Sequence, residues 1–329
     1  MISQTGRIGL VAPQKRLRVF AGRSHPALAR AIAEQLGTEL GGIQLETFAD
    51  GDAYCRYTES VRGADVFLVQ TAVSPVDSHL VELMMMIDAA RLASARRITA
   101  VVPRFFYARQ DRKSTPREPI TARMVATMFE EAGADRVLTM DLHAGQVQGF
   151  FDIPVDHLTA LPMFAERLRE LTAGREAVVV APATARAKQG SWLAEMLHAD
   201  LAIANDDPAA GPAGLHVIGE TAGRVALILE NGVDSGEWFS RASGALVEKG
   251  ATAVYACATH GVMTAGAAGR LARSPIDRLL VTDTVPVAAS ERLPSLEVLP
   301  VAALLASAIS SVFSNDSVSA IFAGESQLF

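Results

Sequence analysis

Short β-rich apolar runs alternate with longer stretches of helical periodicity along nearly the whole chain, and no other feature constrains the fold as much. Residues 17–20 form an apolar run that ends in the turn Ala21-Gly22-Arg23-Ser24-His25-Pro26. Leu28, Ile32 and Leu36 then recur at helical spacing until Gly37. The pattern repeats as a strand over 66–70, a helix over 78–95, a strand over 98–103, a helix over 121–132, a strand over 136–140 and a helix over 161–171. A second series follows, with strands expected over 177–180, 226–229, 253–257 and 279–282 and helices over 190–197 and 240–249. Strands joined by helical crossovers run parallel, so this order predicts an α/β protein of two tandem units with parallel sheets flanked by helices. The two series meet near residues 150–165, giving an N-terminal extension over 1–16, a first domain over 17–156 and a second over 157–329.

A chain of 329 residues, 50% hydrophobic, is long enough to bury a core in each unit without disulfides or a structural metal. Its two cysteines, Cys55 and Cys257, exclude a disulfide framework or zinc ribbon and fit a reducing compartment. The basic N-terminal residues enclose no long apolar segment, and the apolar stretch 298–313 is broken by Pro300 and serines. A cytoplasmic protein, without a membrane partner, is expected. A net charge of -6 excludes the basic footprint of a nucleic-acid binder, so a phosphate ligand has to be held by local groups.

Ligands of open α/β sheets sit beyond the carboxyl ends of the strands, so residues that follow strands carry the functional signal. After the strand ending at Pro103 comes a loop with Arg104, Arg109, Gln110, Asp111, Arg112, Lys113 and Arg117. By composition it is either a solvated charged loop or a clamp on polyphosphate, since guanidinium forks bind phosphate oxygens bidentately. After Met140 comes Asp141-Leu142-His143, whose carboxylate and imidazole could place Mg²⁺ beside phosphates or could merely brace a neighbouring strand end. Phe48-Ala49-Asp50-Gly51-Asp52 is, taken alone, a turn. The segment 205–214, with Asp206, Asp207, Pro208 and Pro212, is expected as a surface loop.

Taken together, these segments resemble the ribose-phosphate diphosphokinases, or phosphoribosyl pyrophosphate synthetases. The resemblance rests on residues 20–26, 48–52, 59–63, 107–113, 140–144, 148–156, 259–262 and 282–286, in family order. It implies a duplicated phosphoribosyltransferase-like fold, ATP and a sugar phosphate as substrates, Mg²⁺ as cofactor, and a homo-oligomer, hexamer or dimer. By motif matching, Phe48, Asp50, Gly51 and Asp52 resemble an ATP-contacting turn that reaches a neighbouring subunit, and Arg109, Gln110 and Asp111 resemble the ATP clamp. Lys188, with Arg109, matches the catalytic cations, and Asp141 and His143 match the magnesium-associated residues. Ser60 and Arg62, with Ser317 and Ser319, resemble a regulatory phosphate and ADP site between subunits.

The sugar-phosphate loop departs from the family. The run Glu230, Asn231, Gly232, Val233, Asp234, Ser235, Gly236, Glu237, Trp238 keeps Asp234 and Ser235, but Glu237 stands in place of a glycine and Trp238 in place of a threonine. In the run ending Ala183-Thr184-Ala185-Arg186, Ala183 stands in place of a metal-linked aspartate. Two functions follow. One is transfer of the ATP diphosphate to ribose 5-phosphate, weakened or altered in acceptor. The other is a non-catalytic paralogue that binds nucleotide and assembles with an active diphosphokinase.

Overall fold

In the computed structural model, which describes residues 15–182, 186–207 and 214–322, the chain opens with β1 (Leu17–Ala21) and α1 (Pro26–Gln35). His25 starts α1 because its Nδ1 accepts the Leu28 amide at 3.3 Å, while Pro26 occupies a first-turn position where no amide is needed. An antiparallel hairpin follows, β2 (Ile43–Thr47) and β3 (Ala53–Tyr57), which forms its own two-stranded sheet. Its faces are half exposed, without the clean alternation that would have marked it in the sequence.

Next come β4 (Asp65–Val69), α2 (Val76–Leu92), β5 (Arg97–Val102), α3 (Thr121–Ala132), β6 (Arg136–Met140) and β7 (Val155–Leu158). The first large sheet has the order β1-β4-β5-β6-β7, with every pair parallel. Helix α3 stops at Gly133, whose φ of 108° closes the C-terminus in the left-handed region that a side chain disfavours.

The second series is α4 (Leu161–Thr172), β8 (Ala177–Pro182), α5 (Ala187–Leu197), β9 (Asp200–Asp206), β10 (Leu215–Ile218), β11 (Val225–Val233), α6 (Glu237–Glu248), β12 (Ala253–Gly261), α7 (Ala267–Leu271), β13 (Arg278–Thr282), β14 (Leu296–Leu299) and α8 (Ala302–Ser314). Its sheet has the order β10-β9-β8-β11-β12-β13-β14, parallel except for β10. The chain leaves β8 toward one edge and resumes at β11 toward the other, so the seam between β8 and β11 is a topological switch point, where ligands of such sheets collect.

The expected loop over 205–214 begins instead as sheet: Asn205 and Asp206 pair with His216 and Leu215. Acidic residues tolerate an edge strand, and the pairing partner rather than local propensity decides the outcome. Residues 208–213 lie outside the described part, as does Ala183.

The period-2 alternation sorts the core into three layers. Val19, Phe67, Val101 and Leu138 from the first sheet join Val179, Leu227, Cys257 and Leu280 from the second in one shared cluster, closed by Leu305 and Ile309 of α8. The intervening residues face outward into separate cores, Val66, Leu68 and Ala100 under α2 and α3, and Val180, Ile228 and Ala256 under α6. This shared layer turns the carboxyl ends of the two sheets toward each other. No helix among the described residues is long and apolar enough to cross a membrane.

Candidate active site

Four strand ends enclose a cleft lined by Arg104 and Arg109 after β5, Asp141 and His143 after β6, Asn231 in β11 and His260 in β12. The first wall is anchored from below. Phe105 and Phe106 are buried against Phe129 at centroid distances of 5.7 and 6.4 Å, and the Arg104 amide donates to Thr71 Oγ1 at 3.1 Å. The arginines between these anchors are thereby aimed over the strand ends.

Asp141 is the seam between the two units. Its Oδ1 accepts from Thr159 Oγ1 at 2.6 Å, and its Oδ2 accepts from the Ala160 amide at 2.8 Å and from Thr259 Oγ1, across the seam, at 2.7 Å. Its carbonyl oxygen accepts from Asn231 Nδ2 and faces His260 Nε2 at 3.4 Å. The residue carries a φ of 38°, a left-handed conformation held by these contacts. Desolvation raises its carboxyl above the ordinary range, against the lowering effect of those donors and of Arg186.

These contacts bear on the expected magnesium site. Both carboxylate oxygens of Asp141 accept from protein donors, three hydrogen bonds against about four acceptor sites. Among the described residues no group of three His, Cys, Asp or Glu side chains could hold a metal. The three donors to its carboxylate come from residues 159, 160 and 259, which sequence adjacency does not link to it. These side chains do not fit a magnesium cage on their own. The oxygen ligands that this hard ion prefers have to come from a bound phosphate chain and water, with His143 beside them.

The imidazoles are held neutral. Desolvation lowers His143, at the cleft rim, and the charges of Arg186 and Arg109 add to it. Burial, with Arg104 and Arg186, pushes His260 down to about 3. His157 of β7, also pushed to about 3 by burial, accepts the Leu142 amide on Nε2 at 2.8 Å and so fixes the turn that presents His143. The sequence reading missed His157 and the structural role of His260; a histidine one strand away gives no local signal.

Of the other expected residues, Gln110 and Arg109 line the cleft, and Gln110 Oε1 accepts from Thr121 Oγ1 at 2.5 Å. Asp111 is buried and accepts from Gln146, so it braces the loop rather than facing the cleft. Arg109 forms an ion pair with Asp234 of the opposite wall. Behind Asp234, Gly236 precedes α6 with a φ of 73°, and a Cβ there would stand 2.8 Å from Leu271 Cγ, so glycine is required. Ser235 is held by Arg270 through its carbonyl, and its Oγ accepts the Glu237 amide at 3.3 Å. Glu237 is exposed in the first turn of α6, and Trp238 packs edge-on against Phe239 at 5.6 Å.

Phe48, 51% exposed, stands with Asp50, Gly51 and Asp52 at the tip of the β2–β3 hairpin and is not among the residues lining the cleft. Lys188 is exposed on the first turn of α5, and both it and Arg186 are outside that lining, although Arg186 Nη2 donates to the carbonyl of the lining residue His143 at 3.2 Å. Ser60 and Arg62 border one surface hollow, while Ser317 borders another and bonds Ser319 Oγ at 2.7 Å.

Paired α/β units whose strand ends face a guanidinium-rich cleft define a protein of the phosphoribosyltransferase-like class. Similarity sharpens this. The N-terminal domain of ribose phosphate pyrophosphokinase matches residues 17–133, and the phosphoribosyl synthetase-associated domain matches 206–323. The ribose-phosphate pyrophosphokinase of Caldanaerobacter subterraneus is 44% identical over 93% of this chain and 98% of its own, and that of Rhizobium meliloti is 45% identical over 93% and 100%. The crystal structure of phosphoribosylpyrophosphate synthetase from Mycobacterium smegmatis superposes with a TM-score of 0.88 at 39% identity, covering 92% of this chain and all of that one. The chain belongs to the ribose-phosphate pyrophosphokinase family.

Proposed function

We propose that this protein transfers the diphosphate of ATP to ribose 5-phosphate, forming phosphoribosyl pyrophosphate and AMP, at a rate lowered by its divergent sugar-phosphate loop. The observation that carries the reading is the cleft itself: Arg104 and Arg109 over the β5 end, neutral His143 and His260 beneath, and the β11 loop opposite, in a chain of this family. Phosphoryl transfer needs positioned positive charge more than covalent participation, and guanidinium groups aimed into a partly desolvated cleft supply it. The anomeric hydroxyl attacks the β-phosphorus, the bond to the α,β-bridging oxygen breaks, AMP leaves and a proton is released. His143 at the cleft rim would stand beside Mg²⁺, which would supply positive charge to the transferring diphosphate.

The lowered rate follows from the acceptor side. A phosphate at the start of α6 would meet the helix amides, but Glu237 already places a carboxylate there, and like charges repel. The Trp238 indole, packed on Phe239, offers no hydroxyl to a phosphate. ATP binding also has to separate Arg109 from Asp234.

The remaining features complete the proposal. The exposed Phe48 turn is not part of its own cleft lining, which suits a contact with a neighbouring subunit in a homo-oligomer, where Asp50 and Asp52 would stand beside that subunit's nucleotide. Ser60, Arg62, Ser317 and Ser319 lie on two separate hollows of one chain, so they make one phosphate or ADP site only where two subunits meet. A cytoplasmic setting suits the free thiols Cys55 and Cys257.

AMP release from ATP, Mg²⁺ and ribose 5-phosphate tests the reading. Turnover below the common enzyme range of about 1–10³ per second is expected, rising in a variant carrying Glu237→Gly, Trp238→Thr and Ala183→Asp. Failure of both proteins to release AMP overturns the proposed activity.

A further inference from the structure

The turn after β1, Gly22-Arg23-Ser24, is not among the residues lining the cleft, yet it surrounds a buried charge. Glu82 of α2 is 2% exposed. Its Oε1 accepts from the Arg23 amide at 2.8 Å and from Gln70 Nε2 at 2.8 Å, and its Oε2 accepts from Arg23 Nε. A carboxylate taken out of water is costly unless opposite charge and hydrogen bonds answer it, so this pair fixes the direction of the Arg23 side chain. Gly22 belongs to the same fit, since a Cβ there would stand 2.3 Å from Gln70 Oε1.

Arg23 passes this constraint to the β2–β3 hairpin. With Nε on Glu82, its Nη1 donates to Thr47 Oγ1 at 3.0 Å. Thr47 ends β2 at the tip of the hairpin, paired with Ala53 and directly before the Phe48 turn. The base has its own anchor: Tyr57, paired with Ile43, donates its hydroxyl to the Met86 carbonyl of α2 at 2.7 Å and packs edge-on against Phe20 at 4.7 Å. A two-stranded ribbon is marginally stable by itself, so one held at its base alone leaves its tip free to swing. The same network reaches the cationic wall of the cleft. The Ser24 amide donates to Gln70 Oε1 at 3.0 Å, Ser24 Oγ accepts from the Thr71 amide at 2.8 Å, and Thr71 Oγ1 accepts from the Arg104 amide at 3.1 Å. Hairpin and arginine loop are thus referred to one frame at the ends of β1, β4 and β5.

We propose that Arg23, locked by Glu82, is a positioning residue for nucleotide binding: its bond to Thr47 holds the Phe48 turn at the angle at which the turn meets the nucleotide of a neighbouring subunit. This rests on the reading of the Phe48 turn as an inter-subunit nucleotide contact and adds what aims it. Arg23 acts through the hairpin and needs no contact with the nucleotide.

ADP titration calorimetry and AMP-release kinetics on the full-length protein test this, with F48A as the reference for a lost turn. Removing Arg23 alone would strand the buried carboxylate and mix folding with positioning. T47V instead deletes the acceptor and leaves the Arg23–Glu82 pair in place, so its melting temperature and its oligomeric state by light scattering should match wild type. ADP affinity should fall about 3- to 10-fold and the KM for ATP should rise by the same factor, with kcat at saturating ATP retained. T47S keeps the hydroxyl and should restore wild-type binding. In an R23M/E82Q background, which removes the pair together, T47V should cost nothing further. With F48A impaired, wild-type ADP affinity in T47V, a loss that T47S does not restore, or a full further loss in the R23M/E82Q background overturns the bracing role and leaves the contact made by the turn standing. Unchanged ADP affinity in F48A, a strictly monomeric wild type, or a wild type that binds no ADP overturns both.

Discussion

The two walls of the cleft are built differently. The first is cationic and rests on aromatics, with Phe105 and Phe106 locked against Phe129 so that Arg104 and Arg109 have a rigid base. The second is acidic and rests on backbone geometry, with Gly236 in a left-handed turn, the Ser235 carbonyl tied to Arg270, and Glu230, Asp234 and Glu237 on its face. A loop positioned by backbone contacts can exchange its side chains without losing its course. That is why the second wall keeps its path while its charge has changed from what a sugar phosphate prefers. The walls are joined through Asp141 and the Arg109–Asp234 pair, so each can be perturbed separately and read on the other.

Acid should produce the largest effect and act on both walls, because His157 lies under the first and His260 within the second. Both have folded values lowered to about 3, below the ordinary value of 6.5, so the folded state binds fewer protons than the unfolded one between those limits. Stability is full above that ordinary value and falls as pH drops through the window, by roughly 2 kcal/mol per histidine between about pH 7 and 5. The raised Asp141 carboxyl works in the opposite direction at the acid end. Thermal melting against pH should give this slope, and His157→Gln should flatten it; a flat wild-type profile would show that neither imidazole is held neutral.

Breaking the seam comes next. Thr259→Val removes the side chain of β12 that donates to the Asp141 carboxylate. A loss of about 1–3 kcal/mol is expected in denaturant unfolding, with a lower kcat from a loosened His143 turn. Unchanged stability would mean that the walls are held together by the shared core alone.

A smaller effect separates the walls. Arg109→Ala should weaken ADP binding about 10-fold, the reduced value reflecting a side chain 51% exposed. Glu237→Gly with Trp238→Thr should leave ADP affinity alone and lower the KM for ribose 5-phosphate. Reversal of these two outcomes would exchange the roles assigned to the walls. The smallest effect lies outside the cleft: Arg62→Ala should abolish a severalfold modulation of activity by inorganic phosphate, measured on a protein whose oligomeric state is checked by light scattering. Wild type that is strictly monomeric and insensitive to phosphate removes that site.

Much of this protein could be read from its sequence. The apolar runs at 17–20, 66–70 and 136–140 and the helical spacing between them gave the parallel sheets, because burial on both faces demands continuous apolar strands wherever they pair. The motifs after the strand ends pointed to a phosphate-handling cleft, since position along an α/β strand already fixes which end meets ligand. Only the tertiary structure decided the rest. The β2–β3 hairpin is half exposed and exists through its own pairing, and the acidic end of β9 is sheet because β10, which buries Leu215 and Val217, pairs with it. The Asp141 carboxylate accepts from Thr159 and Thr259 because these lie opposite it, and Arg186 meets the His143 carbonyl across the seam. A side chain's direction and partners depend on which distant strand end faces it, and no local pattern encodes that neighbour.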